Sequence, residues 1–190
     1  MLFRSKLLKK PIAAPSANTS TSLSPTEANH VYEYFRKDKN LSIILDDGST
    51  EIGLESTILQ IDNNEIHILR HGGISTEKIK ENFPNKKIND EQKKYKKIIA
   101  PGMLTKHYSP TVPLRINAKK AKKNELLIGF GPNYDSPNLS SKGDLTEAAS
   151  NLFSFLAKYQ KNYSKIAIAP IPNIGIGRAI NDRIKRASKD

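Results

Sequence analysis

Hydroxyls, one carboxamide and one guanidinium dominate the groups in this chain that could do chemistry, and they fall into three separated segments. Pro11 to Thr26 reads PIAAPSANTSTSLSPT, Gly53 to Thr57 reads GLEST, and Pro101 to Pro110 reads PGMLTKHYSP. No histidine sits beside any serine, and the G-x-S-x-G elbow of the hydrolases is absent. Ser16, Asn18, Ser20, Thr26 and Ser56 therefore read as binding groups rather than nucleophiles. Any one of these hydroxyls could equally serve a cap or a turn. For Ser24 the capping duty is the expectation, because Ser24-Pro25-Thr26-Glu27 has the form of a capping box with Pro at the first helical position.

Arg70 precedes His71-Gly72-Gly73. A guanidinium at a strand edge beside a Gly-rich turn suits a phosphate or carboxylate, which it can hold in bidentate fashion. The same pattern serves a surface ion pair. His67, His71 and His107 lack metal-ligand spacing and the chain has no Cys, so no zinc site is expected. Asp46, Asp47, Glu51 and Glu55 could assist a magnesium ion held by substrate phosphates, but as turn carboxylates they are expected to be solvated. Gly175-Ile176-Gly177-Arg178 resembles half a dinucleotide fingerprint. Ile180 stands where its third Gly belongs and no acidic residue can follow at the right distance, so tight strand-to-helix geometry is the expectation.

The elements that must position these groups fall into two runs. A short strand at Pro11 to Ala14 leads into the first polar loop, and a helix follows from Pro25 to about Phe35, with Ala28, Val31, Tyr32 and Phe35 on one face. Leu41 to Leu45 reads as a buried strand, Ser56 to Ile61 as a second and Glu65 to Arg70 as a third, the last two joined by a turn at Asp62-Asn63-Asn64. Thr76 opens a short helix toward Phe83. Pro84 to about Ile99 is polar and Lys-rich, a linker continuing into the Pro101 to Pro110 loop. Beyond Val112, a strand at Glu125 to Phe130, a helix capped by Asp144, a strand at Lys165 to Ile171 and a helix from about Arg178 to Ala187 alternate as a small parallel α/β domain would. The expected domains are residues 1–83, a linker at 84–111 and residues 112–190.

Composition narrows the partners. The formal charge of +12 attracts anions, and nucleotide phosphates and tRNA both qualify. The excess is carried largely by Lys runs such as Lys119 to Lys123 without interleaved aromatics, a pattern closer to a solvated surface than to a dedicated nucleic-acid face. Without Cys there is no thiol chemistry, which fits a reducing compartment. MLFRSKLLKK lacks the apolar run of a signal peptide, and no stretch approaches the ~18 apolar residues of a membrane span. The expected location is the cytoplasm, with no membrane partner.

Taken in order, APSAN with SPT, GLEST, the pattern at Leu69 to Ile74, PGM with HYSP, and GIGRAINDR resemble the threonylcarbamoyl-AMP synthase family in its two-domain form. The resemblance runs from about Pro11 to Arg186. It implies the C-terminal part of a YrdC-like twisted open α/β sheet, a linker, and a small parallel α/β, Rossmann-like C-terminal domain. The activity it implies is that of a nucleotidyltransferase. L-threonine, bicarbonate and ATP would become threonylcarbamoyl-AMP and pyrophosphate, for threonylcarbamoyladenosine modification of tRNA. By the same resemblance Ser16 and Ser56 contact threonine, Asn18, Thr26, Arg70 and Tyr108 contact ATP, and His107 supports a loop that folds over the cavity. Mg²⁺ would arrive with ATP, without a dedicated protein site, and no residue acts as a covalent catalyst.

Two departures accompany the resemblance. Thr21 stands where the family has Gly after Ser20, and an upstream Lys-x-Arg element with its neighbouring Thr has no counterpart here. The expectation is therefore an N-terminally truncated member with little activity alone, either a split product that pairs with a separate N-terminal half or other tRNA-modification proteins, or a decayed remnant. A non-catalytic nucleotide- or tRNA-binding module is the alternative.

Overall fold

The computed structural model describes residues 7–11, 15–20, 22–90 and 108–189. The expected strand at Pro11 to Ala14, the departure at Thr21, the PGM residues and His107 lie largely or wholly outside these. The first element described over its whole length is helix α1, Ala28–Phe35. Its N-cap is Glu27, with no side-chain cap. The Ser24 capping box does not form, because the Ser24 hydroxyl donates instead to Glu55 at 2.5 Å, thirty-one residues away. Nor does the expected face of α1 hold throughout: Tyr32 is exposed, while Tyr34 turns inward and donates from its hydroxyl to the Leu23 carbonyl at 3.0 Å.

Residues 41–45 also depart from expectation. They form no regular strand, and Ile43 and Leu45 are 73% and 76% exposed. The apolar run has no ladder partner among the described residues, and a strand needs one to satisfy its backbone groups.

Strands β1 (Ile58–Asp62) and β2 (Glu65–Arg70) pair antiparallel in register Asp62 to Glu65. Asn63, at φ +48°, makes the tight turn between them, as its short polar side chain permits. Along β2, Ile66, Ile68 and Arg70 share the buried face. Helix α2 (Thr76–Asn82) follows, capped by Ser75 accepting from the Lys78 backbone N–H. Then β3 (Lys87–Asn89) pairs parallel with β2, so the first sheet extends past residue 83 into the stretch that reads as linker. The lysines hide it: Lys87 projects outward to Glu65 at 2.8 Å, while its neighbour Ile88 registers with Ile66.

The second unit is a three-stranded parallel sheet in the order β4 (Leu114–Arg115), β6 (Ile166–Ile168), β5 (Leu126–Ile128). Helices α3 (Leu145–Tyr159) and α4 (Gly177–Ala187) pack on it. Asp144 caps α3, its carboxylate accepting from the Glu147 N–H at 2.8 Å. The stripe of α3 lands on the sheet as its period requires, with Leu152, Phe153 and Leu156 meeting Ile128, Ile166 and Ile168, all at most 1% exposed. Leu23 belongs to this same core and Leu54 packs against it, so apolar residues of the first unit are buried among those of the second. No helix among the described residues is long and apolar enough to cross a membrane.

At the edge of the second sheet, Arg115 grips Glu125 through Nε at 2.9 Å and Nη2 at 2.5 Å. Those hydrogen bonds hold the Glu125 carboxyl down at about 2, well below the usual glutamate range. A depressed carboxyl stabilises the fold fully above the unfolded-chain value and loses that contribution as pH falls through the folded one. Glu125→Gln should therefore lower the melting temperature at neutral pH, and the gap from wild type should narrow as pH is taken from about 5 to about 3 in thermal melts.

Candidate functional site

The GLEST loop reaches its position because two glycines allow backbone to approach backbone. At Gly53, φ is +68°, and a β-carbon would lie 2.7 Å from the Ala149 carbonyl oxygen on α3. At Gly72 a β-carbon would lie 2.2 Å from the Glu55 carbonyl oxygen. The loop is thereby pressed between the first sheet and the helices of the second unit. Ser150 on α3 adds a hydrogen bond from its hydroxyl to the Thr50 carbonyl at 3.1 Å.

Within this sandwich the expected site residues are distributed as follows. Ser16, Ser24 and Glu55 wall a pocket of about 190 Å³, completed by Thr50, Gly53 and Leu54 among others. That is small beside the roughly 300–1,000 Å³ of pockets for drug-sized ligands, and it favours a compact one. Ser56 and Arg70 meet directly, the guanidinium donating to the Ser56 carbonyl from Nε at 3.1 Å and Nη2 at 2.9 Å, and from Nη2 to the Ser56 hydroxyl at 3.3 Å. They adjoin the pocket through Glu55 rather than lining it. Asn18 shapes its own loop, donating to the Thr19 and Ser22 carbonyls at 3.1 and 3.2 Å. Thr26 is buried beside His30, whose Nδ1 accepts from the Thr26 backbone N–H at 3.2 Å, while the Thr26 carbonyl takes the Thr50 N–H at 2.9 Å. Tyr108, at φ +62°, is buried with its ring 5.7 Å from that of Phe153 and facing Arg183.

Arg183 is the residue that sequence reasoning passed over. Its side chain is 0% exposed and makes three charged or polar contacts. Nε donates to Glu55 Oε2 at 2.7 Å, Nη1 to Asp182 Oδ2 at 2.7 Å, and Nη2 to the His71 carbonyl at 2.9 Å. The Tyr108 ring centroid lies 5.0 Å from the guanidinium carbon, within cation–π range. Burial works against the charge on Arg183, but Glu55, Tyr108 and Asp182 more than offset it and its pKa is raised. Burial likewise pushes the Glu55 carboxyl up, yet the Arg183 charge and the Ser24 hydroxyl hold it below the usual range. Both are charged at neutral pH. The only sequence signal for Arg183 is the length of GIGRAINDR itself, which is more than a strand-to-helix turn requires.

Two of the four carboxylates that could have assisted a cation are engaged within the protein. Glu55 serves Arg183, and Asp46 accepts from the Gly48 N–H in its own turn at 2.9 Å. Among the described residues no three His, Asp or Glu side chains cluster as metal ligands do. A second, polar cleft of about 560 Å³ lies beyond the carboxyl ends of β4 and β6, where His71, Asp90, Asn117, Arg178 and Lys185 contribute to its walls. Its charges are largely spent on one another. His71 Nε2 lies 3.0 Å from Asp90, whose carboxylate also accepts from Arg178, and Arg178 reaches Glu77 at 3.1 Å.

Comparisons with known proteins agree on one relationship. A family model described as "Threonylcarbamoyl-AMP synthase, C-terminal domain" matches residues 74–189, and one described as "Telomere recombination" matches residues 3–72. The threonylcarbamoyl-AMP synthase of Pyrococcus abyssi is 32% identical over 206 residues, which takes in 96% of this chain and 59% of that protein. The Bacillus subtilis threonylcarbamoyl-AMP synthase is 33% identical over 202 residues, covering 94% of this chain and 57% of the relative. The crystal structure of P. abyssi Sua5 complexed with L-threonine superposes with a TM-score of 0.80 at 30% identity, over 97% of this chain and 59% of that one. The chain thus spans a little under three fifths of the length of these relatives.

The close approach at Gly72 has a direct test. A β-carbon there would meet backbone rather than a movable side-chain end. Gly72→Ala should destabilise the chain by about 1–3 kcal/mol or more through overpacking, read as a lower midpoint with an unchanged slope in urea unfolding.

Proposed function

The chain belongs to the threonylcarbamoyl-AMP synthase family, and from that premise we propose that it binds L-threonine and the phosphate region of ATP for the synthesis of threonylcarbamoyl-AMP. In that reaction the threonine nitrogen bonds to the carbon of bicarbonate and water leaves. A carbamate oxygen then bonds to the α-phosphorus of ATP and pyrophosphate departs. The product would serve threonylcarbamoyladenosine modification of tRNA.

The observation that carries this reading is the meeting of Arg70 with Ser56, one residue past a small pocket walled by Ser16, Ser24 and Glu55. This corner brings hydroxyls, which can hydrogen-bond an amino acid, within a few ångströms of a guanidinium suited to phosphate oxygens. Ser16 and Ser56 would hold threonine, and the similarity to a P. abyssi protein solved with L-threonine supports that amino acid as the ligand. Arg70 would face the triphosphate, with Asn18 and Thr26 ordering the loop that meets the nucleotide. Mg²⁺ would come as the counter-ion of ATP, held chiefly by its phosphates.

Little in this scheme asks for proton chemistry from the protein. Two anions and an amine must be brought together and water kept from a hydrolysable product, so positioning and charge neutralisation carry the catalysis. Tyr108, packed over Arg183 at the inner end of the linker, would anchor the segment that closes over the reactants.

Titration calorimetry of the full chain with L-threonine tests the reading. Saturable binding is expected, and Ser56→Ala should weaken it by tenfold or more, the worth of a hydrogen bond to a charged group at about 1.5–3 kcal/mol. No binding at millimolar threonine, or binding of ATP and tRNA without threonine, would overturn it.

A further inference from the structure

Two shoulders flank the Ser56–Arg70 contact: Glu55 immediately before Ser56, and His71 immediately after Arg70. One guanidinium holds both. Arg183 donates to the Glu55 carboxylate and to the His71 carbonyl across 128 and 112 residues of chain. Glu55 passes the constraint on to the Ser24 hydroxyl, and Tyr108 covers the guanidinium from the linker side. We propose that Arg183 of helix α4 is a positioning residue for the substrate corner, setting the separation of Ser56 from Arg70 and the place of Ser24. The proposal rests on the reading of that corner as the threonine and triphosphate site.

The chemistry of the side chain favours this role over simple cohesion. A buried ion pair is often no more stabilising than well-packed apolar residues of the same volume, so stability alone is a poor reason to bury this one. A planar fork does something an apolar contact cannot: it fixes the angle between the groups it binds. Here two nitrogens of that fork address different chain segments, Nε the GLEST loop and Nη2 the turn after β2. Asp182 occupies the remaining nitrogen, so the fork is also held in rotation by its own helix. Lysine, a point charge with one nitrogen, could satisfy Glu55 or the His71 carbonyl but would not fix one relative to the other. The C-terminal domain would then act on the reaction without touching a reactant.

The test uses full-length chains carrying Arg183→Lys or Glu55→Gln, each read by hydrogen exchange, by L-threonine titration and by thermal melting. For Arg183→Lys, amide protection in residues 53–57 and 71–73 should fall by tenfold or more while α3 and β6 keep theirs. The dissociation constant for threonine should rise about tenfold. Glu55→Gln, which leaves the His71 contact in place, should loosen 53–57 but not 71–73 and keeps the proposal testable if the lysine variant does not fold. The double variant should be no worse than the more damaging single one, since both cut one linkage. Unchanged exchange in both segments, or a uniform loss of protection across the chain with threonine affinity unmoved in the folded fraction, would overturn the proposal. If the wild type binds no threonine, the substrate reading fails, and the exchange pattern still decides whether Arg183 couples the two shoulders.

Discussion

A positive charge with no exposure to solvent, 0% for the Arg183 side chain, is the constraint around which the two halves of this protein are arranged. Removing a guanidinium from water is costly unless every N–H it buries finds a partner. The partners of Arg183 come from four places: Glu55 in the GLEST loop, His71 after the second strand, Asp182 on its own helix and the ring of Tyr108 from the end of the linker. Meeting that demand brings together segments that are far apart in sequence. The geometry of the Ser56–Arg70 corner follows from where they are held.

The same interface is also apolar core. Leu23 is buried and belongs to the cluster of the second domain, while Leu54 packs against it. Gly53 lets the loop backbone come against α3, and Gly72 lets the turn after β2 close on the GLEST backbone that leads into β1. Desolvation of Glu55 and Arg183 is thus enforced by packing around them, and the low-dielectric surroundings strengthen their attraction in turn. The polar clamp and the apolar contacts depend on one another, because water entering at either would weaken both.

The parallel α/β character of the second domain was legible from residue pattern. The stripe of α3, the cap at Asp144 and the apolar run around Ile166 each specify their element locally and agree with one another. The β1–β2 hairpin was equally plain from alternation and its Asn-Asn turn. What failed were readings that took a local pattern at face value where a distant partner competes. Ser24 has the sequence of a cap, but the Glu55 carboxylate is a stronger acceptor for its hydroxyl than a helix end is a donor to it. Leu41 to Leu45 has the composition of a buried strand but no ladder neighbour among the described residues, and composition cannot provide one. Strand β3 was masked by the lysines around it, which are placed on its solvent side.

By itself the amino-acid sequence determined the β1–β2 hairpin, most elements of the second domain and which chemical types fall in three polar segments, since helix period, strand alternation and turn chemistry act over a few residues. It also sufficed to place the chain in its family, whose members from P. abyssi and B. subtilis share only about a third of its residues. Only the tertiary structure decided that Ser56 meets Arg70, that Ser24 belongs to Glu55, and that Arg183 binds the residues beside them. Those contacts join groups 14 to 128 residues apart, and no local rule fixes a distance across a folded interface.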